Sequence, residues 1–182
     1  DAGDIIKQQE VEIGEDETTG ELWDKLSKIG SKLLVQTVKN IDAGIIERVP
    51  QPEEFTLAPM LNKEMAKIDW NTKKSYEIKN LVRGLNPIMG TYTFLNNKKI
   101  KFWKVQNLNN EEYSEISKEF DHLEFENEKC GTVLFANEKK GLYIKANEGI
   151  ISVIEIQGEN AKRMNINDFL RGNNIKIGEK FE

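Results

Sequence analysis

Hydrophobic and polar positions in the first fifty residues predict one strand followed by one long helix. Residues 5–13 end in strict alternation, which suits a strand. Thr18 and Glu21 have the spacing of a capping box, and apolar residues then recur every three to five positions to about Asn40, which predicts an amphipathic helix. Because a strand and a helix with one apolar face need another layer to pack against, we expect the missing partner layer upstream of residue 1.

Residues 50–86 are predicted to form a structured linker. An extended proline-rich stretch leads to a short turn at 61–66 and then to a helix at 73–85. Proline disfavours helix at the residue before it, so Asn86-Pro87 ends this helix.

Beyond Pro87, short apolar runs alternate with turns, which predicts an antiparallel sheet. Asn96-Asn97 joins the first two runs as a hairpin, and Gly141 and Gly149 mark later turns. The five predicted strands span residues 91–95, 99–106, 132–136, 142–146 and 150–157, and a brief helix is predicted at 165–171. Such strands fit a small OB-like Greek-key barrel, although the pattern alone also allows a five-stranded sandwich. The fold class predicted for the whole chain is α+β.

The composition is typical of an ordinary globular protein, with 38% apolar and 31% charged residues among 182. No apolar run approaches the roughly 18 residues of a membrane helix, and the chain begins with acidic residues where a secretory signal would be basic and then apolar. The single cysteine, Cys130, excludes an internal disulfide and a multi-cysteine zinc site. We therefore expect a cytoplasmic protein with no membrane partner and no metal.

The net charge of -5 argues at first against a nucleic-acid partner, because phosphate binding usually requires a basic surface. The charge is unevenly distributed, however. Residues 107–129 hold eight acids and two lysines, whereas the rest of the chain after Pro87 holds twelve basic and seven acidic residues. We interpret residues 107–129 as an acidic loop that interrupts a basic C-terminal surface.

Short motifs occur in a distinctive order along the whole chain. Before residue 62 they are Asp1-Ala2-Gly3-Asp4-Ile5-Ile6, Thr18 to Leu26, and Ala58-Pro59. Further along they are Lys63-Glu64, Ile68-Asp69-Trp70, Arg83-x-x-Asn86-Pro87, Gly90, Lys101-Phe102-Trp103-Lys104, Gln157-Gly158, Lys162-Arg163-Met164 and Asp168-Phe169-Leu170-Arg171-Gly172. Each motif is weak alone, but in this order and spacing they resemble the methionyl-tRNA formyltransferase family.

The chain departs from the family pattern at a few positions. Ile88-Met89 stands where the family usually has Trp-Pro, and Met60 stands where a linker lysine is usual. Cys130 replaces a common proline. Contacts that the family makes through the side chains at 60, 88 and 89 are therefore not carried over.

The resemblance implies an activity and a division into domains. The activity is transfer of a formyl group from 10-formyltetrahydrofolate to the amino group of methionine on initiator tRNA, in translation initiation. Residues 1–49 would be the end of a Rossmann-like formyltransferase domain, residues 50–86 the linker, and residues 87–182 an OB-like tRNA-binding domain. The parent protein is expected to be monomeric.

Catalysis in the family is shared by an asparagine, a histidine and an aspartate, which implies one catalytic residue here, Asp1. Its carboxylate would orient the histidine and relay protons through water. Taken alone, an aspartate before Ala-Gly is an ordinary turn residue. The only histidine, His122, follows Asp1 instead of preceding it, so we interpret it as a surface residue. We therefore expect a truncated chain that is inactive alone, with an incomplete folate site.

The resemblance also implies tRNA contacts by basic side chains, namely Lys63, Lys101, Lys104, Arg163 and Arg171. Without it, these residues would be interpreted as a solvated surface. A domain of this kind can hold the inside of the L-shaped RNA through phosphates and 2′-hydroxyls without reading sequence. Aromatic residues in the strands can stack on bases, but we expect them to be core: Tyr92, Phe94, Phe102, Trp103 and Tyr143.

Two other functions fit the residues. One is a non-catalytic RNA-binding module made of the linker and the sheet. The other is a related formyltransferase that acts on a sugar nucleotide or on formylfolate. The C-terminal pattern Lys162-Arg163-Met164 with Phe169-Leu170-Arg171-Gly172 favours the tRNA enzyme.

Overall fold

The chain divides into two units, Asp1–Leu61 and Asn62–Glu182, in a computed structural model that describes residues 3–108, 110–119 and 127–182. The division falls inside the predicted linker, and the assignment of residues 1–49, 50–86 and 87–182 to separate domains stays a prediction. Asp1 and His122 lie outside the described residues.

The first unit is built around one long helix, α1 (Thr19–Asp42). The capping box predicted at its start is present: the Glu21 amide donates to Thr18 Oγ1 at 3.3 Å, and the Thr18 amide donates to Glu21 Oε2 at 2.8 Å. These bonds satisfy amides that have no partner inside the helix. The helix prediction is therefore confirmed, to within two residues at its end.

The strand predicted at residues 5–13 is wrong. The described residues there form only an isolated bridge, in which the Ile5 amide donates to the Val49 carbonyl at 2.7 Å and the Val49 amide donates back at 2.9 Å. Alternation of apolar and polar residues supports a strand only where a neighbouring strand accepts its hydrogen bonds. Within the described part of this unit, Val49 is the one residue that forms a β-bridge with the segment.

The second unit begins with a short 3-10 turn, Glu64–Ala66, and a helix, α2 (Ser75–Gly84), as the linker pattern predicts. The remaining elements are β1 (Thr91–Leu95), β2 (Lys98–Asn107), α3 (Asn110–Glu119), β3 (Val133–Asn137), β4 (Gly141–Lys145), β5 (Ile150–Gln157), β6 (Met164–Asn165) and α4 (Ile166–Gly172). All five predicted strands and the brief helix are present within one or two residues of their expected positions. Residues 62–182 therefore follow the sequence pattern closely.

The strands form one antiparallel sheet in the order β1-β2-β5-β4-β3, with β6 paired to β5. The predicted count of five strands is wrong, because β6 is only two residues long and too short to show alternation. The interpretation of residues 107–129 as a loop is also wrong where α3 lies. Glu111 and Glu112 in its first turn and Lys118 in its last turn complement the helix dipole, which favours this helix.

The sheet is not closed by pairing of its own edge strands in the part of the chain that the structure describes. The last residues instead bond to both edges. Phe94 and Glu182 exchange two backbone hydrogen bonds of 2.9 Å beside β1, and the Val133 amide of β3 donates to the Glu179 carbonyl at 2.8 Å. The C-terminal segment thus satisfies the edge groups of both strands. Whether this arrangement and the first unit correspond to an OB-like barrel and a Rossmann-like remnant stays a prediction.

Aromatic rings form the centre of the second unit. Phe102 and Phe181 are fully buried with ring centroids 5.6 Å apart, and Trp70 lies 6.3 Å and 6.0 Å from them. The Trp70 indole donates to Thr93 Oγ1 at 2.9 Å, and that hydroxyl donates to the Glu182 carbonyl at 2.9 Å. Trp70 therefore connects the segment before α2 to β1 and to the C-terminus.

The residues of the Ile68-Asp69-Trp70 motif have a structural role in the second unit. Ile68 and Trp70 are buried, while Asp69 accepts hydrogen bonds from the Thr72 hydroxyl at 2.8 Å and the Asn71 amide at 3.0 Å. The Thr72 hydrogen bond lowers the pKa of Asp69, since it favours the charged carboxylate. The motif thus places two core side chains on either side of a turn.

We expect hydrogen exchange to differ sharply between the two units. No residue among 3–61 is buried, so only the helix itself protects the amides of α1. In β2 and β5, Phe102, Val153 and Ile156 are fully buried. Exchange in α1 should be at least about a hundredfold faster than in β2 and β5, because local stability follows buried contacts.

Exchange followed by mass spectrometry at several protein concentrations tests this prediction. Protection of α1 that is equal to that of β2 at the lowest concentration would contradict it. Protection that rises with concentration would show association through the exposed side chains of α1, among them Trp23, Leu34 and Val38.

Candidate nucleic-acid interface

The outer face of the β1–β2 hairpin carries aromatic and basic side chains in alternation. In β1, Thr91, Thr93 and Leu95 are buried, so Tyr92 and Phe94 lie on the opposite face. In the antiparallel register, Tyr92 is opposite Lys101 and Phe94 is opposite Lys99. The period of two along both strands therefore separates the core from an outer face of rings and ammonium groups.

Trp103 is the centre of the first group on this face. Lys101 Nζ lies 5.4 Å and Arg163 Cζ lies 5.1 Å from the centroid of its ring. The indole N–H donates to Gln157 Oε1 at 2.9 Å. We call Asn86, Lys101, Trp103, Gln157 and Arg163 the Trp103 cluster. Its ring orients two cations beside the sheet through cation–π contacts.

Backbone features hold Trp103 in place. The pairing of β2 with β5 shifts register between Phe102 and Lys104 and again between Lys104 and Val105, which marks a bulge at Trp103 and Lys104. The Asn86 side chain is buried and donates from Nδ2 to the Trp103 carbonyl at 2.8 Å. Gly90 has a φ of +64°, and a Cβ there would lie 3.0 Å from the indole ring. The ring therefore requires glycine beside it.

The two cations of the Trp103 cluster differ in how they are neutralised. The Arg163 guanidinium donates to the Glu155 carboxylate and, from Nη1, to Asn86 Oδ1 at 3.4 Å. Lys101 Nζ donates to the Met89 carbonyl at 2.9 Å. A carbonyl oxygen does not cancel a full positive charge, whereas a carboxylate does. The Lys101 ammonium therefore remains available to bind an anion, whereas the Arg163 guanidinium mainly holds the Trp103 ring in position.

The five predicted tRNA-binding residues are not gathered at one place. Lys101 and Arg163 lie in the Trp103 cluster, and Lys104 is exposed further along β2, opposite Glu155 in register. Lys63 is exposed before the 3-10 turn, and Arg171 of α4 pairs with Asp168 at 2.7 Å. The predicted catalytic residue, Asp1, lies outside the described residues.

The expectation that the strand aromatics are core is confirmed only for Phe102. Tyr92, Phe94, Trp103 and Tyr143 are partly exposed, and Tyr143 packs at the edge of a small second cluster around Leu134 and Ile150. For Trp103, the sequence contains a signal for the outer face. Lys99, Lys101 and Trp103 share one parity in β2, while the buried residues Ile100 and Phe102 have the other.

Neither a metal centre nor a membrane span is found in the part of the chain that the structure describes. Within it, no three His, Cys, Asp or Glu side chains are grouped so that they could hold an ion. Its helices are all too short or too polar to cross a bilayer.

Proteins named methionyl-tRNA formyltransferase match almost the whole chain. A methionyl-tRNA formyltransferase of Ruminiclostridium cellulolyticum is 35% identical over 99% of this chain and 54% of its own length. One of Agathobacter rectalis is 37% identical over 100% of this chain and 54% of its own length. The chain thus spans about half the length of these relatives.

Solved structures of HypX from Aquifex aeolicus share the fold. One variant has a TM-score of 0.62 at 15% identity, and the match covers 93% of this chain and 28% of the HypX chain. A second variant has a TM-score of 0.64 at 14% identity, and the match covers 97% of this chain and 29% of the HypX chain. A third HypX structure, in complex with tetrahydrofolic acid, has a TM-score of 0.51 at 15% identity and covers 76% of this chain and 22% of its own.

The family model described as formyl transferase, C-terminal domain, matches residues 60–174, which include the linker turn, α2, the whole sheet and α4. This range holds every residue of the Trp103 cluster. Because it covers more than half of the chain, this protein belongs to the formyl transferase family and carries its C-terminal domain.

Proposed function

We propose that the chain is part of a cytoplasmic enzyme that transfers a formyl group from 10-formyltetrahydrofolate to the amino group of methionine on initiator tRNA. The support is the identity of about 35% to methionyl-tRNA formyltransferases over essentially the whole chain. A tetrahydrofolate donor is further supported by the HypX complex with tetrahydrofolic acid. We propose 10-formyltetrahydrofolate as the donor, since the transferred carbon must come from a formylated folate.

Residues 87–182 would serve as the OB-like tRNA-binding domain of this enzyme, and residues 50–86 as its linker. The observation that carries this role is Lys101, whose ammonium is fixed by a carbonyl and by the Trp103 ring on the outer face of a rigid sheet. Lys104 adds a second exposed charge on the same strand. Charges on a stiff scaffold can hold phosphates with little loss of conformational entropy on binding.

The remaining basic residues would have smaller roles. Arg163 is braced by Glu155 and would act on tRNA mainly by orienting Trp103. Arg171 pairs with Asp168, and Lys63 lies just before the 3-10 turn. Both would therefore contribute to tRNA binding only through the overall electrostatic potential of the surface.

Catalysis itself would depend on groups beyond the described residues. None of residues 3–61 is buried, and the proposed folate site would be completed by the rest of the enzyme. Asp1 would be the aspartate of the catalytic set, in which it would orient a histidine supplied by the rest of the enzyme. The described residues therefore fit tRNA binding and not a complete transfer site.

Titration of the 182-residue chain with labelled initiator and elongator tRNA, at 50 mM and 200 mM salt, tests the binding role. Lys101→Gln and Lys104→Gln should each weaken binding roughly fivefold at low salt and reduce the salt slope by about one. Lys139→Gln, at an exposed position in the turn between β3 and β4, is the matched control and should change little. Initiator and elongator tRNA should bind equally, since these contacts would involve phosphates.

Salt-independent binding, or equal loss in Lys101→Gln and Lys139→Gln, would contradict a phosphate interface on β2. Strong preference of the chain for initiator tRNA would place sequence recognition in this half of the enzyme.

A related formyltransferase with another acceptor is the second candidate, because HypX shares this fold. The same titration separates the two, since an enzyme without a tRNA substrate has no reason to bind tRNA in a manner that depends on Lys101 and Lys104.

A further inference from the structure

Tyr92 and Phe94 form a second aromatic group on the outer face of β1. Their rings meet edge to face, with centroids 5.8 Å apart and planes at 88°. Lys99 Nζ lies 3.8 Å from the Tyr92 centroid, and Lys67 Nζ lies 5.6 Å from the Phe94 centroid. We call these four residues the Tyr92–Phe94 face.

The core does not account for the two rings. The buried residues of β1 are Thr91, Thr93 and Leu95, and neither aromatic side chain belongs to a buried cluster. An aromatic ring at an exposed sheet position adds some strand stability through cross-strand contact. Both cross-strand neighbours here are lysines, however, so the face combines flat apolar surface with positive charge.

This combination matches one chemical class of partner. A planar base can stack on an aromatic ring, and the phosphates on either side of it can approach ammonium groups. An acidic peptide offers the charge without the planar group, and a duplex offers phosphates while its bases stay stacked on one another. An unpaired nucleotide in RNA offers both.

We infer that the Tyr92–Phe94 face binds an unpaired nucleotide of RNA, with the base stacked on Tyr92 and flanking phosphates at Lys99 and Lys67. The inference rests on the proposed function and specifies which part of a tRNA this surface takes. Lys99 covers the Tyr92 ring in the free protein. Its long side chain can turn from the ring to a phosphate as the base arrives, which exchanges a cation–π contact for stacking and an ion pair.

The position of the face beside the Trp103 cluster supports this assignment. Lys101 belongs to that cluster and is also the cross-strand partner of Tyr92. A strand of RNA whose phosphate is held by Lys101 would therefore pass directly over Tyr92. Base stacking and phosphate binding would occur on neighbouring positions of one hairpin.

The test uses the 182-residue chain with two fluorescent probes of one sequence, an RNA octamer as a single strand and the same octamer in a duplex. Tyr92→Leu and Phe94→Leu should each weaken binding of the single strand by about fivefold or more and leave duplex binding unchanged. Tyr92→Phe keeps the ring and should bind as the unmodified chain does. Tyr76→Leu removes an exposed aromatic from α2 and is the control.

Equal affinity of Tyr92→Leu and the unmodified chain for the single strand, while Lys101→Gln still weakens tRNA binding, would overturn the inference and leave the proposed function standing. Equal loss for the single strand and the duplex would also overturn it, since a duplex presents no free base. Thermal melting shows that each variant is folded, and loss of ring-dependent binding in Tyr92→Leu with retention in Tyr92→Phe cannot come from unfolding.

Discussion

Replacing Gly131 with alanine is expected to destabilise residues 62–182 by roughly 3 kcal/mol or more. Gly131 has a φ of +85°, and an added Cβ would lie 2.3 Å from the Phe181 carbonyl oxygen and 3.3 Å from the Trp70 ring. The Phe181 amide donates to the Gly131 carbonyl at 2.9 Å, so the methyl group would push away the C-terminal segment that bonds to both edges of the sheet.

Gly178→Ala is the matched control for this experiment. Gly178 has a similar φ of +87°, but nothing lies within 4 Å of the position of its Cβ. It should lose only the roughly 1 kcal/mol that a left-handed backbone costs a residue with a side chain. Urea unfolding followed by tryptophan fluorescence measures both variants. Equal losses would show that backbone strain alone decides the cost and that the C-terminal segment does not need the close approach at Gly131.

Local patterns predicted the elements of the second unit because each strand there has one buried face. Residues 91–95 alternate between buried and partly exposed positions, and β5 was predicted at its observed bounds. The same reasoning failed at residues 5–13, where alternation is present but, among the described residues, only Val49 forms a β-bridge with the segment. A period of two therefore indicates a strand only when the fold provides a neighbour.

Long-range features of the fold could not be predicted. The last five residues are too few to show a pattern, yet they bond to β1 and β3, which lie about ninety and fifty positions earlier in the sequence. The bulge at Trp103 likewise depends on how β2 meets β5. Such contacts are set by the whole sheet, and no sequence window contains both partners.

The candidate interface was predicted in its residue types but not in its arrangement. The motifs singled out Lys101 and Arg163, and the structure places both against Trp103. The sequence did not show that Glu155 neutralises Arg163, because paired charges eight residues apart meet only through the pairing of β5 with β6. It also placed Tyr92 and Phe94 in the core, although their parity in β1 is that of the outer face.

The 182-residue chain is expected to transfer no formyl group to methionyl-tRNA above background. Under the proposed function, a protein in which the N-terminal half of the Ruminiclostridium cellulolyticum relative precedes Asp1 should do so, because this chain spans only 54% of that relative's length. In this joined protein, Asp1→Asn should lower the rate by about a hundredfold or more, the usual range for an acid–base group. Asp24→Asn, at an exposed position on α1, is the control.

Kinetic parameters for the joined protein distinguish catalysis from tRNA binding. Asp1→Asn should lower kcat and leave the KM for methionyl-tRNA nearly unchanged, because its carboxylate would act only on the reacting groups. Lys101→Gln should raise that KM and leave kcat nearly unchanged, since a phosphate contact is as strong in the ground state as in the transition state. Formylated product from the 182-residue chain alone, measured by chromatography of the aminoacyl-tRNA, would overturn the assignment of Asp1 to a shared catalytic set. A lowered kcat in Lys101→Gln would instead mean that the outer face of β2 helps to position the methionine amino group for attack.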